Sequence, residues 1–200
     1  MKKIILLITV IFAVSASYAQ DDDKKGWFGI KAGGVVATMD GGTGYSNDPH
    51  FGATAGFFYE HMIGRKVSLS VDLLYSGQGM REKDKEMELN ERMDLHYIIL
   101  PVAVNYYIVK GLAVKVGIQP GFLASAVSVD KNSYGNSKSE FAEDCRRFDI
   151  SVPMGISYDI NKFRIEARYN LGLLSLTKDD DEKIYNNWNS VFALTVGFKF

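Results

Sequence analysis

The stretch SVFALTVGFKF, residues 190–200, decides the fold. Phe192, Leu194, Val196, Phe198 and Phe200 share one parity, and Val191, Ala193, Thr195, Gly197 and Lys199 share the other. A period of two places these sets on opposite faces of a β-strand, one greasy and one small or charged. Working outward, seven more segments repeat the pattern: residues 26–38, 51–61, 67–76, 96–108, 112–122, 148–158 and 163–172. Eight strands of this length suit a tilted crossing of a bilayer, which takes about 9–11 residues per strand.

Connections alternate in length. Short ones fall at Ile63-Gly64-Arg65, Val109-Lys110-Gly111 and Ile160-Asn161, where Gly or Asn supplies hairpin geometry. Long polar ones run from about 39 to 50, 77 to 94, 126 to 146 and 174 to 189. Short turns at one end and long loops at the other characterise an outer-membrane barrel. Folding about Lys110 sets Asn105 opposite Lys115, folding about Gly64 sets Glu60 opposite Ser68, and folding between Ile160 and Asn161 sets Gly155 opposite Glu166. Each pairing matches polar face to polar face, whereas a one-residue slip would mix them.

Period alone leaves two architectures open. A soluble barrel turns its apolar parity inward, and a membrane barrel turns it out to lipid. The polar parity here is unusually small, with Gly29, Gly33, Gly52, Gly56, Gly117, Gly121, Gly155 and Gly197 beside Ser68, Ser70, Ser151 and Ser157. A narrow lumen needs such residues, while water-facing strands favour Thr, Lys and Glu. Aromatics gather at strand ends, as Trp27, Tyr59, Tyr75, Tyr97, Tyr106, Tyr107, Tyr158 and Trp188, in the manner of interfacial girdles. The expected fold is all-β: a closed eight-stranded antiparallel up-and-down transmembrane β-barrel over residues 26–200.

The opening MKKIILLITVIFAVSASYAQ has two lysines, an apolar run from Ile4 to Val14 and small residues around Ala19. It reads as a signal peptide over residues 1–19, the run being shorter than the roughly 20 residues of a membrane helix. Residues 20–25, QDDDKK, form a short periplasmic lead-in. No cysteine follows the cleavage point, which argues against a lipid-anchored start. Cys145, the single cysteine, has no internal disulfide partner. The net charge of −1 shows no basic excess, so nucleic acid is not an expected partner.

The inward parity carries Lys31, Lys115, Arg164, Arg168 and Lys199 with Glu60, Asp72, Asp149 and Glu166. Charges in so narrow a lumen are expected to pair, because an unpaired buried charge is costly. Eight strands leave an interior that side chains fill, so these residues form a structural plug in preference to a wide pore. An ion-selective lumen lined by Arg164, Glu166 and Arg168 is the functional alternative.

Other candidates are weaker. His50 and His96 fall near the long-loop rim with Ser46 and acids, the raw material of a Ser/His/acid lipid enzyme, but no nucleophile motif accompanies them. His61 belongs to the opposite rim. The acids Asp179, Asp180, Asp181 and Glu182 lack the spacing of a calcium loop and read as a solvated loop. Residues 81–94, REKDKEMELNERMD, read as a hydrated surface, with divalent-bridged contact to anionic headgroups as the alternative. GIKAGG and GGTG are not phosphate loops, since no Lys-Ser/Thr follows. No cofactor is expected.

Several stretches resemble the PorT-like outer-membrane β-barrel family across about residues 26–200: YIILPVAVNYY, VGIQPGFL, RYNLGLLSL and VFALTVGFKF. Arg168, Tyr169, Gly172 and Leu173 carry the most specific part, and Ile99 departs from a position where the family often has Glu. The resemblance implies an eight-stranded barrel in the outer membrane of a Gram-negative bacterium, contacting lipid and lipopolysaccharide. It also implies that the barrel-insertion machinery recognises Phe200. It implies little about activity; the founding member is linked to a dedicated secretion system. The expectation is a monomeric, non-enzymatic barrel whose four surface loops bind a ligand or partner or serve the envelope. A secretion accessory, a narrow channel and a rim-sited lipid enzyme stand as alternatives.

Overall fold

Residues rich in Val, Ile, Phe and Tyr at every second position favour extended backbone, and such strands are stable only when every edge is paired. The computed structural model describes residues 26–40, 49–84, 89–132, 135–140, 147–175 and 188–200. The expected signal peptide and lead-in, Ser46, Cys145 and the acidic run 179–182 lie outside the described residues. The strands are β1 (Gly26–Asp40), β2 (His50–Met62), β3 (Val67–Asp84), β4 (Leu89–Ile99), β5 (Val102–Val109), β6 (Leu112–Asn132), β7 (Gly135–Glu140), β8 (Phe148–Ile160), β9 (Phe163–Ser175) and β10 (Trp188–Lys199).

These make eight staves. β4 and β5 are one stave interrupted at Leu100-Pro101, because Pro101 has no N–H to give the ladder. Its carbonyl still accepts from the Asp72 N–H at 2.9 Å. Among the described residues, β7 is an outgrowth that pairs only with β6. The ring runs β1, β2, β3, β4–β5, β6, β8, β9, β10, each antiparallel to the next, and β10 closes on β1 through Ile30↔Phe198 and Val36↔Phe192. Closure leaves the ring without an edge.

The apolar parity faces out. Val116 is 53%, Leu194 52% and Phe57 44% exposed, whereas Glu60 is 0% and Arg164 2% exposed. A soluble barrel would show the reverse, so the outward face is the lipid face. Near the short turns the outer rings of Phe28, Phe57, Phe163, Phe198 and Phe200 stack or meet edge-on at 5.4–6.0 Å. Three girdle aromatics turn inward instead. Tyr97 is buried, Tyr107 donates a hydrogen bond to Glu60, and Trp27 lies under Lys199 Nζ, 4.9 Å from the ring centroid.

Turn geometry shifts two of the three expected registers. Asn105 does face Lys115. Glu60, however, faces Ser70, and Gly155 faces Arg168. Both slips are of two residues, so the faces are preserved. The cause is where the chain reverses: Ile63 and Gly64 N–H both bond the Val67 carbonyl, and Asn161, at φ +55°, opens the two-residue turn between the paired Ile160 and Phe163.

Two of the long connections are largely strand. β3 and β4 pair as far as Asp84↔Leu89, β4 follows β6 to Asn90↔Lys131, and β7 pairs with β6 from Val127↔Glu140 to Asn132↔Gly135. A bulge at His96/Tyr97 against Ser125/Leu123 lets β6 change faces, so that Leu123 and Ala126 both point inward.

Candidate functional site

Among the described residues, buried charge concentrates in the lumen, and it does so in layers. Nearest the short turns, Arg164 binds Asp159 through Nε at 2.6 Å and Nη2 at 2.8 Å, and its Nη1 donates to Glu60. Tyr107 donates to Glu60 Oε1 at 2.7 Å and receives Arg164 Nη2 at 3.1 Å. Ser68 donates to Glu60 and accepts from Asn105 Nδ2 at 2.9 Å. Lys199 Nζ reaches Asp159 Oδ2 at 3.0 Å. All three nitrogens of the Arg164 fork are engaged, the condition under which a buried guanidinium is tolerable.

A second layer is built around Glu166. Its carboxylate accepts from Lys115 Nζ at 2.6 Å and Lys31 Nζ at 3.2 Å, with Arg168 Nη1 at 3.6 Å. Asp72 completes the layer, 2.6 Å from Lys31 Nζ and 3.4 Å from Arg168 Nη1. Between the two layers lies the buried ring of Phe58, with Lys31 Nζ 5.6 Å and the Arg164 guanidinium 5.4 Å from its centroid. Both cations use the same ring.

Lysine reaches these positions because β1 and β6 carry Lys31 and Lys115 on the inward parity beside glycine. Gly33 and Gly117 are required: an added Cβ would fall 1.9 Å from the Leu194 carbonyl oxygen and 2.0 Å from that of Val102. Neighbouring strands approach too closely there for a side chain.

Toward the long loops the lumen turns neutral. Gln119 Nε2 donates to Ser151 Oγ at 3.0 Å, Gln78 Nε2 to Ser76 Oγ at 3.1 Å and Thr54 Oγ1 to the Tyr75 carbonyl at 2.8 Å. Ile99 sits in an apolar cluster with Leu74, Leu95, Tyr97, Leu123 and Ala126, and Val35, Ala37, Val191 and Ala193 form a second. Ile99 thus contributes packing to the lumen. A cavity with room for about a single water molecule remains between these regions.

Of the sequence-derived candidates, Lys31, Glu60, Asp72, Lys115, Arg164, Glu166, Arg168 and Lys199 come together in the two charged layers. Asp149 does not; it lines the small cavity with Gln119, Ser151 and Asn170. Asp159, on the inward parity just past the segment read as a strand, takes the place assigned to it. The signal was present, since Asp159 continues the series Ser151, Ser157. At the rim, His50 Nε2 faces Asp94 Oδ1 at 3.5 Å. His96 Nδ1 meets the Tyr75 hydroxyl at 2.6 Å and stacks on that ring. His61 stacks on Tyr59 at the other end. A phenol beside His96 is not a nucleophile–base–acid set.

A sealed ring with lipid-facing apolar side chains and an ionic lumen defines an integral outer-membrane barrel. Residues 18–178 match the family described as Outer membrane protein beta-barrel domain, and the chain belongs to it; it is located in the cell outer membrane. No curated protein matches. Among solved structures, the attachment invasion locus protein Ail of Yersinia pestis, in complex with the heparin analogue sucrose octasulfate, is similar at 12% identity and TM-score 0.54, covering 88% of this chain and 99% of that one. Neisserial surface protein A is similar at 12% identity and TM-score 0.55, over 86% and 97%. At this identity the likeness concerns the fold.

Proposed function

We propose that the protein is a non-enzymatic, non-conducting outer-membrane barrel that carries a surface sheet for binding a ligand or partner outside the cell. The observation behind this reading is the continuation of β3, β4, β6 and β7 past the ring. Pairing of β2 with β3 ends at Thr54↔Ser76, and pairing of β8 with β6 ends at Phe122↔Phe148. β3 then runs eight residues further, to Asp84, which at about 3.3 Å per residue extends the sheet some 25 Å. A lumen filled by two ionic layers supports the non-conducting part.

In planar bilayers the refolded protein should give no resolved conductance steps, and steady porin-like current would overturn that part. An epitope inserted in the β6–β7 turn should be detected on intact cells. Detection only after permeabilisation would reverse the orientation and remove the binding role.

The barrel works as a monomer against outer-membrane lipid and lipopolysaccharide, with Phe200 as the residue read by the insertion machinery. Membership of the PorT-like subgroup rests on Arg168-Tyr169 and Gly172-Leu173. Arg168 lies in the Glu166 layer and Tyr169 on the lipid face, so one strand supplies both. A secretion defect in a deletion strain would favour the secretion-accessory role over surface binding.

A further inference from the structure

At the short-turn end of the barrel, three hairpins present cations to the outside. Arg65 and Lys66 lie between β2 and β3, Lys110 between β5 and β6, and Lys162 between β8 and β9, and all four are exposed. Among the described residues none of them enters an ion pair. The acids at this height, Glu60 and Asp159, are engaged inside the lumen by Arg164 and Lys199. The lead-in before Gly26 has three aspartates and two lysines, a net of minus one, and Phe200 brings an α-carboxylate, so four positive charges stand against two negative ones. Neighbouring strands hold the hairpins in place: the Lys66 carbonyl accepts from the Tyr107 N–H at 2.8 Å, and the Lys162 carbonyl from the Lys199 N–H at 2.7 Å. The long-loop end is mixed in sign, since β3 and β4 there set Arg81, Lys83 and Arg92 beside Glu82, Asp84 and Glu91.

The same hairpins carry apolar side chains beside the cations, with Ile63 64% and Val109 58% exposed. Next to them on the outer face lie the rings of Tyr106, Tyr158, Phe163 and Phe198, and Lys162 Nζ sits 5.9 Å from the Phe198 centroid. An ammonium beside an outward ring, at the end of a membrane strand, stands at headgroup level. We propose that this rim binds anionic glycerophospholipids, its four cations taking the phosphate diesters of the leaflet around the short turns. One Lys or Arg near an anionic surface is worth about fivefold in partitioning, and the Arg65 guanidinium can take a phosphate through two hydrogen bonds. With the long loops outside, as proposed above, that leaflet is the periplasmic one. The lipid preference itself does not depend on that reading.

Electron paramagnetic resonance tests it, with the full barrel refolded in phosphatidylcholine vesicles and spin-labelled phosphatidylglycerol or phosphatidylcholine as the probe. The relative association constant should favour phosphatidylglycerol by about twofold or more and fall toward one as NaCl screens the charges. The combined variant Arg65→Gln, Lys66→Gln, Lys110→Gln and Lys162→Gln breaks no ion pair among the described residues and should lose the preference. Exchanging Arg65→Lys and the three lysines for arginine should keep it. No preference in the native barrel, or one that survives the four glutamines, would overturn the assignment. So would a preference that inorganic phosphate removes more readily than chloride at equal ionic strength, because the ligand would then be a soluble anion. Retention of polyglutamate without any lipid preference would make the rim a dock for acidic peptides and overturn it too. Should the combined variant fail to fold, the four single substitutions decide: each should lower the preference, and no change in any of them refutes it. A reversed epitope result would move the leaflet and leave the preference intact.

Discussion

Replacing Glu166 by Gln keeps the shape of the central lumen and removes the charge around which it is arranged. Three cations, Lys31, Lys115 and Arg168, are then left with Asp72 as their sole carboxylate within the layer. Lys115 loses most, since Glu166 is its ion-pair partner at 2.6 Å and its side chain is 5% exposed. Breaking a buried pair by removing one member costs about 3–5 kcal/mol, because the surviving charge stays out of water. An exposed pair is worth only about 0–1 kcal/mol, so the two regimes are separable. The assay is reversible urea unfolding in phospholipid vesicles, followed by tryptophan fluorescence and heat-modifiable mobility. Adding Lys115→Met to Glu166→Gln should recover part of the loss, since the double variant no longer leaves the Lys115 ammonium without a carboxylate, while Lys31 keeps Asp72. Contacting residues couple by about 0.5–3 kcal/mol in such cycles. A single-variant cost under about 1 kcal/mol, or strict additivity, would refute the dry plug and mean that lumen water screens these charges.

Three further outcomes follow from the geometry. Leu194→Arg, on the lipid face, should cost about 2–4 kcal/mol in vesicles if the residue lies near the bilayer midplane, whereas a water-facing strand would tolerate it; vesicle unfolding reads the difference. Gly33→Ala should destabilise by about 1–3 kcal/mol or more and slow closure of the β1–β10 seam, seen as loss of the fast-migrating band, because the new Cβ meets the Leu194 carbonyl. Deleting residues 133–140 should leave the heat-modifiable barrel intact, since among the described residues β7 pairs only with β6; loss of folding would show that the surface sheet supports the ring.

Much of this architecture was legible in the chain. A strand's period is two whatever its surroundings, so the inward and outward sets were readable from Phe28 to Lys199 before any pairing was known. The small, glycine-rich inward set separated lipid from water as the outer neighbour, because only a narrow lumen needs it. Vertical position was less readable. Turn geometry moved Glu60 and Gly155 by two residues against their partners, a shift invisible to parity. The length of β3 and β6 was also misread, because charged segments such as 81–84 look like loop and become strand when a neighbour supplies the ladder.

Which charges meet belongs to the tertiary structure alone. Glu166 and Lys31 are 135 residues apart and Arg164 and Glu60 104, and they touch because the tilt and stagger of eight strands bring their layers level across the lumen. The same stagger puts Asp159 into the plug and leaves Asp149 beside Gln119 and Asn170, though the two aspartates are alike in parity and on one strand. Alternation is a property of one strand and so is written in sequence. Height in the barrel is a property of all eight, fixed only when β10 closes on β1.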